Sequence, residues 1–249
     1  MLLKSQVIHP FIVSHSKESL VNFMQTSFIH LRVSSEFSIS RGLLRINEII
    51  ANAQKLNMPA VALTDLNNMF GMVKFFKKAE ASGIKPIAGI TLNLKSHAGE
   101  FGEILCLAKN NEGLKSLMGI ISKSQLQQEN GYISVTFEDL SICAGNIILI
   151  AGGSSSTIFN LAKLKKNQDL KTELLSFKET FKDDFCIELQ RLGKNFEEEF
   201  IQCIVPLASE FLIPVIASND TMFSQKEDFE IHETKVCINT GKTLNDPNR

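Results

Sequence analysis

Short, almost wholly apolar runs recur along this chain, each set between helical patterns, and this rhythm limits the fold more than any other feature. Ala60–Val61–Ala62–Leu63, Asn146–Ile147–Ile148–Leu149–Ile150–Ala151, Phe185–Cys186–Ile187–Glu188–Leu189 and Pro214–Val215–Ile216–Ala217–Ser218 read as strands. A sheet with one wet face would alternate apolar with polar residues, and these runs do not. Near-continuous apolar strands between helices point to a mainly parallel α/β sheet covered on both faces. Pattern alone does not separate a closed barrel from an open sheet.

Leu43, Leu44, Ile46, Ile49, Ile50, Ala53 and Leu56 fall at helical spacing and predict a helix over 43–57. A second is predicted at about 69–82, closed by Gly83. Its Phe70, Val73, Phe75 and Phe76 read as a core face backed by solvated Lys74, Lys77 and Lys78. Residues 84–94 and 101–108 read as a strand hairpin, and 132–135 as a short strand. Further helices are expected at 111–126, 137–140, 169–182, 196–212 and 228–239, with one more after Gly152–Gly153–Ser154–Ser155–Ser156. Such a glycine–serine loop between strand and helix is able to cradle a phosphate. It lacks the lysine of a P-loop, and a serine-capped helix start is the better reading.

With 249 residues, 44% of them hydrophobic, the chain is long enough for one large domain or two small ones. Lys plus Arg (26) nearly balances Asp plus Glu (27), which argues against an electrostatic grip on DNA by this chain alone. Cys106, Cys143, Cys186, Cys203 and Cys237 form no CxxC pair and mostly sit in apolar runs, as buried reduced thiols of a cytoplasmic protein do. The first 27 residues have no long apolar stretch of a signal peptide, and no run approaches the roughly 20 apolar residues of a membrane span. His9 and His15, in that segment, show no metal spacing; His30 reads as structural and His232 as a surface helix residue.

Several motifs are more specific. They are Phe28–Ile29–His30–Leu31–Arg32–Val33–Ser34–Ser35–Glu36–Phe37–Ser38, Leu63–Thr64–Asp65, Gly83–Ile84–Lys85–Pro86–Ile87–Ala88–Gly89, Ile187–Glu188–Leu189–Gln190–Arg191 and Ala217–Ser218–Asn219–Asp220. Asp228–Phe229–Glu230–Ile231–His232–Glu233 and Thr243–Leu244–Asn245–Asp246–Pro247 follow. On these residues, positions 28–249 resemble the PHP (polymerase and histidinol phosphatase) domain at the N-terminus of bacterial DNA polymerase III alpha subunits. The resemblance implies a distorted (β/α)7-type barrel over 28–249, preceded by an extension, 1–27, for which partial disorder is the expectation.

In such barrels the working residues sit at the C-terminal strand ends. Those ends are Arg32 and Ser34, Asp65 and Leu66, Thr91, Gln190 to Leu192, and Asn219 to Met222. Asp65 and Asp220 would share one mouth, although an Asp after a buried strand is more often a helix N-cap than a ligand. Metal-binding relatives carry His at the positions held here by Arg32, Ser34, Leu66, Leu192 and Met222, and acids where this chain has Arg41 and Thr91. Of the ligand set only Asp65 and Asp220 remain, too few for a cluster of several metals. The resemblance therefore implies a vestigial cleft with no metal, no cofactor and no phosphoesterase activity; Mg²⁺ would belong to the polymerase domain of the parent subunit. Two acids without a cation would repel, so that one tends to keep its proton. Arg32 and Arg41 are expected to replace the lost charge, the alternative being two solvated rim residues. The implied role is structural, with docking of a proofreading exonuclease subunit. Implied partners are the rest of the alpha subunit and, through the holoenzyme, DNA, with no membrane. The rival is an active metal-dependent 3′–5′ exonuclease or phosphoesterase.

Overall fold

A computed structural model describes residues 28–128 and 132–246. The expectation for 1–27 lies outside the described residues. The strands are β1 (Ala60–Leu63), β2 (Lys85–Lys95), β3 (Phe101–Ala108), β4 (Val135–Thr136), β5 (Ile147–Ala151), β6 (Phe185–Leu189) and β7 (Val215–Ala217). The helices are α1 (Ile46–Lys55), α2 (Met72–Ala81), α3 (Asn111–Leu126), α4 (Phe137–Ser141), α5 (Thr157–Lys163), α6 (Asn167–Phe181), α7 (Glu197–Glu210) and α8 (Phe229–Thr240).

The sheet runs β1-β2-β3-β5-β6-β7, with β4 paired to β2. β1 lies parallel to β2, Ala60 opposite Lys85, and β5, β6 and β7 are mutually parallel. β3 runs against both β2 and β5. The reason is the link from Lys95 to Phe101, too short for a helical crossover, so β2 and β3 close as the expected hairpin.

The segment from His30 to Ser35 covers the edge of β1. Ala62 donates its N–H to the His30 carbonyl (3.0 Å) and Thr64 to that of Val33 (2.9 Å). On its other side Ser34 N–H bonds the Thr221 carbonyl (2.9 Å), and Thr221 N–H returns to Arg32 (3.2 Å). The segment thus joins the first strand to residues just past the last. Backbone groups that would be left open at two sheet edges are satisfied, and the sheet wraps into a distorted α/β barrel.

Alternation along the strands sorts the core. Ala62, Leu105, Leu107 and Ile150 fill the barrel with Ile87, Cys186 and Ile216. The outward strand residues meet the helices: Ile90, Leu92 and Phe185 share one cluster with Phe177 of α6, and Leu63 shares another with Ile46 and Ile50 of α1 and Phe75 of α2. α3 and α5 are capped by the side chain just before them. Asn110 accepts from Gly113 N–H (2.8 Å) and Ser156 from Phe159 N–H (3.1 Å). Gly83, at φ +71°, follows α2 in the left-handed conformation that glycine adopts without strain. Among the described residues no helix is long and apolar enough to cross a membrane.

Three expectations change. α1 begins at Ile46, not 43, because Leu43 N–H is taken by the Met222 carbonyl (2.9 Å) and the Leu44 carbonyl by Glu36 (2.8 Å). The strand expected over 132–135 is reduced to Val135–Thr136. α2 does not bury all its aromatics. Met72, Phe75 and Ala79 face the core, whereas Phe70, which precedes the helix, and Val73 on it are 75% and 69% exposed.

Candidate charged cleft

The mouth of the barrel holds a buried ion network. Glu188 lies two residues beyond Cys186 on β6, and Glu103 two before Leu105 on β3, so both carboxylates share the barrel's inner face. Arg32, on the closing segment, is 2% exposed. Its Nη2 bonds Glu188 Oε1, its Nε reaches Oε2 at 3.3 Å, and its Nη1 stands 3.5 Å from Glu103. This is a side-on guanidinium fork on one carboxylate, with a second acid at its far edge. Burial pulls the guanidinium pKa down, but Glu188, Asp220 and Glu103 outweigh it and hold Arg32 above its ordinary value.

Glu188 also accepts from Gly153 N–H (3.1 Å), Ser218 Oγ and Gln190 Nε2 (3.4 Å). The approach of Gly153 depends on Gly152, at φ +119°, where a Cβ would stand 2.4 Å from the Glu188 carbonyl oxygen. Arg41 extends the network, donating from Nη1 to Glu103 (2.7 Å). Its Nε and Nη2 are buried without a partner among the described residues. Asp220 lines the same shallow pocket as Arg32, Glu103, Gly153 and Gln190, with Oδ1 also unpartnered.

Asp65 is neither a helix cap nor a partner of Asp220. It accepts from Ser35 N–H (2.7 Å), Ser35 Oγ (2.7 Å) and Ser38 Oγ (2.6 Å), pinning the loop after the first strand. Burial raises its pKa, opposed by these hydrogen bonds and by Arg41. The source is desolvation, not the expected repulsion between two acids. Ser38 Oγ in turn accepts Leu66 N–H (3.0 Å).

Other predicted positions serve the backbone. Thr91 Oγ1 donates to the Thr64 carbonyl (3.0 Å), and the Met222 carbonyl receives Leu43. Ser34 is buried with Oγ unpartnered. Leu192 is 38% exposed, in a loop held by Glu197, which accepts N–H bonds from Leu192, Gly193 and Lys194 at 2.8–3.1 Å. The structure therefore gathers Arg32, Arg41 and Asp220, while Asp65, Leu66, Thr91 and Leu192 hold their local backbone. The arginines are not rim residues; Arg41 is only 9% exposed. Sequence reasoning missed Glu103 and Glu188, although each interrupts an apolar strand on the inward phase.

Smaller readings resolve as well. The Gly152–Ser156 loop spends its donors internally, Gly152 N–H on Ser156 Oγ (3.2 Å) and Gly153 N–H on Glu188. His30 is structural, with Nδ1 3.2 Å from Thr221 Oγ1. His232 is not a free surface residue: its ring packs on Phe223 at 5.3 Å, both nitrogens are buried, and burial lowers its pKa. All five cysteines are free thiols. Among the described residues no three His, Cys, Asp or Glu side chains stand together as a metal-ion set.

The barrel is an architecture shared with solved structures of very different sequence. A metal-dependent phosphoesterase from Bifidobacterium adolescentis superposes with a TM-score of 0.56 at 9% identity, covering 83% of this chain and 95% of its own. An amidohydrolase from Chromobacterium violaceum also gives 0.56, at 13% identity, covering 83% and 96%. At such identities the likeness is one of fold. The chain belongs to the PHP domain family, whose pattern matches residues 30–192. Its similarity within that family is to DNA polymerase III subunit alpha: 38% identity over 231 residues in Pseudomonas aeruginosa, 38% over 228 in Vibrio cholerae and 35% over 226 in Escherichia coli. These alignments take in 89–91% of this chain but 19–20% of each relative, so the chain spans about one fifth of their length.

Proposed function

We propose that this chain is the PHP domain of a bacterial replicative polymerase alpha subunit and that it works without catalysis, as a structural and docking module. The observation that carries the reading is the buried guanidinium of Arg32, engaged by Glu188 and Glu103 at a position where metal-binding members of the family carry histidine. A fixed cation there satisfies the inward carboxylates that would otherwise call for a metal.

The residues present do not fit a cluster of metals. Leu66, Leu192 and Met222 offer no hard donor, and Asp65 and Glu188 are engaged by serine hydroxyls, backbone and guanidinium. Stripping those partners away would leave buried polar groups unpaired. No hydrolytic step is assigned to this cleft. Nucleotidyl transfer and its Mg²⁺ belong to the polymerase region of the parent subunit, and contact with DNA comes through the holoenzyme. The near-neutral charge supports that division. Five free thiols suit the reducing cytoplasm where replication takes place.

The decisive experiment is a binding titration of the purified chain against its cognate proofreading exonuclease, with metal content measured on the same sample. Saturable binding without stoichiometric Zn²⁺ or Mn²⁺ supports the reading. Stoichiometric metal with phosphoesterase activity would return the domain to the active class. Absence of both binding and metal would leave an internal scaffold.

A further inference from the structure

Little of α8 is sunk in the core: Cys237 is its one buried residue. Its contacts with the barrel come from side chains three residues apart, on one face of the helix. Phe229 and His232 both pack on the Phe223 ring, at 6.3 and 5.3 Å, and Lys235 Nζ donates to the Gly42 carbonyl. Both His232 ring nitrogens are buried without a partner among the described residues. A neutral imidazole bears this at modest cost, but an imidazolium has two donors and a charge to satisfy. Four charged groups act on the ring. Lys235, on its own helix, and Arg41, on the loop ahead of α1, oppose a further positive charge. Glu233 on α8 and Asp220 after β7 favour it, yet neither accepts a hydrogen bond from the ring. Burial is the largest influence and holds His232 below the ordinary histidine value.

We propose that His232 is a proton-sensitive fastener for α8: the neutral ring seats the helix on the barrel, and proton uptake releases it. Release withdraws Lys235 from the Gly42 carbonyl, next in the chain to Arg41, whose Nη1 holds Glu103. The state of the helix is thereby passed to the charged cleft. A released helix takes up the proton more readily than a seated one, so seating is at full strength above the ordinary histidine pKa of about 6.5. It weakens as pH falls from there towards the lowered value of the seated ring. Asp65 carries the opposite dependence, its contribution being lost as pH rises, so the two groups are separable. The fastener stands independently of the docking role proposed above.

The test is amide hydrogen exchange of the 249-residue chain, followed over α8 and α3 and expressed relative to unfolded-chain rates. As pH is lowered from about 7.5 to about 5.5, protection of α8 should fall by up to about tenfold per pH unit while α3 holds. His232→Phe keeps an aromatic ring against Phe223 but takes up no proton, and its α8 protection should stay level. The wild-type imidazole, followed by NMR, should titrate below the ordinary histidine value. A level wild-type profile, a fall shared equally by α3, or a fall that His232→Phe retains would each overturn the proposal. So would α8 protection that rises at low pH and loses this rise in His232→Phe, because Asp220 or Glu233 would then be capturing the charged ring. Should the variant fail to fold, an imidazole titrating at or above the ordinary value in wild type overturns the proposal by itself, and a lower one together with selective loss of α8 protection upholds it.

Discussion

Replacing Arg32 by methionine keeps most of the side-chain volume and removes only the charge and its donors. The guanidinium meets Glu188 at 3.3 Å through Nε and Glu103 at 3.5 Å through Nη1. At an effective dielectric of about 20, each contact is worth roughly 5 kcal/mol of gross Coulomb energy. Several kcal/mol of desolvation per buried ion oppose it, so the intact network contributes little net stability compared with an apolar core. Removing the cation alone is different. Glu188 is fully buried and keeps its desolvation cost with only Gly153, Ser218 and Gln190 to offset it. The expected loss is about 3–5 kcal/mol, measured by urea unfolding at neutral pH. The double variant Arg32→Met/Glu188→Gln removes both charges and should recover part of that loss, because the two sites are coupled. A single variant within about 0.5 kcal/mol of wild type would refute the reasoning. A double variant no more stable than Arg32→Met would place the cost in packing rather than in charge.

Three further substitutions test other parts of the fold. Burial raises the Asp65 pKa, so the folded state holds this proton more tightly than the unfolded chain. Its contribution is full below the ordinary aspartate range and is lost as pH rises through the raised value. Relative to wild type, Asp65→Asn should therefore gain stability as pH is taken from about 4 towards neutral; a difference that is flat, or moves the other way, in paired unfolding curves rejects that assignment. Phe75→Ala, at a site with no exposure, should cost about 3–5 kcal/mol. Phe70→Ala, five residues earlier in the turn before α2 and largely in water, should stay within about 0.5 kcal/mol; equal losses would contradict the burial of one side chain and the exposure of the other.

The order of strands and helices was legible because it is written in local pattern. α3 falls on 111–126 as expected, where Asn110 caps a helix with no competing bond for its first turn. Legibility fails where distant backbone intervenes. Leu43 and Leu44 are apolar and correctly spaced for α1, yet their backbone groups are claimed by Met222 and Glu36. Phe70 misleads for another reason: α2 starts only at Met72, so Phe70 lies in the turn before it and helical spacing does not carry it onto the inner stripe.

The cleft was half legible for a related cause. Strand-end positions follow from periodicity, so Arg32, Asp65 and Asp220 are found at the mouth. What each one touches depends on loops nearly thirty residues away or more, and Ser35 and Ser38 reach Asp65 only through the fold. A usable signal was nevertheless present. A carboxylate on the inward phase of an apolar strand cannot stay buried and ionised without a cation close by. Glu188 and Glu103 both meet that description, and each implies either a metal or a guanidinium. Read that way, an arginine at the mouth is itself informative: the inner acids Glu188 and Glu103 already have a cation, covalently tethered, in Arg32.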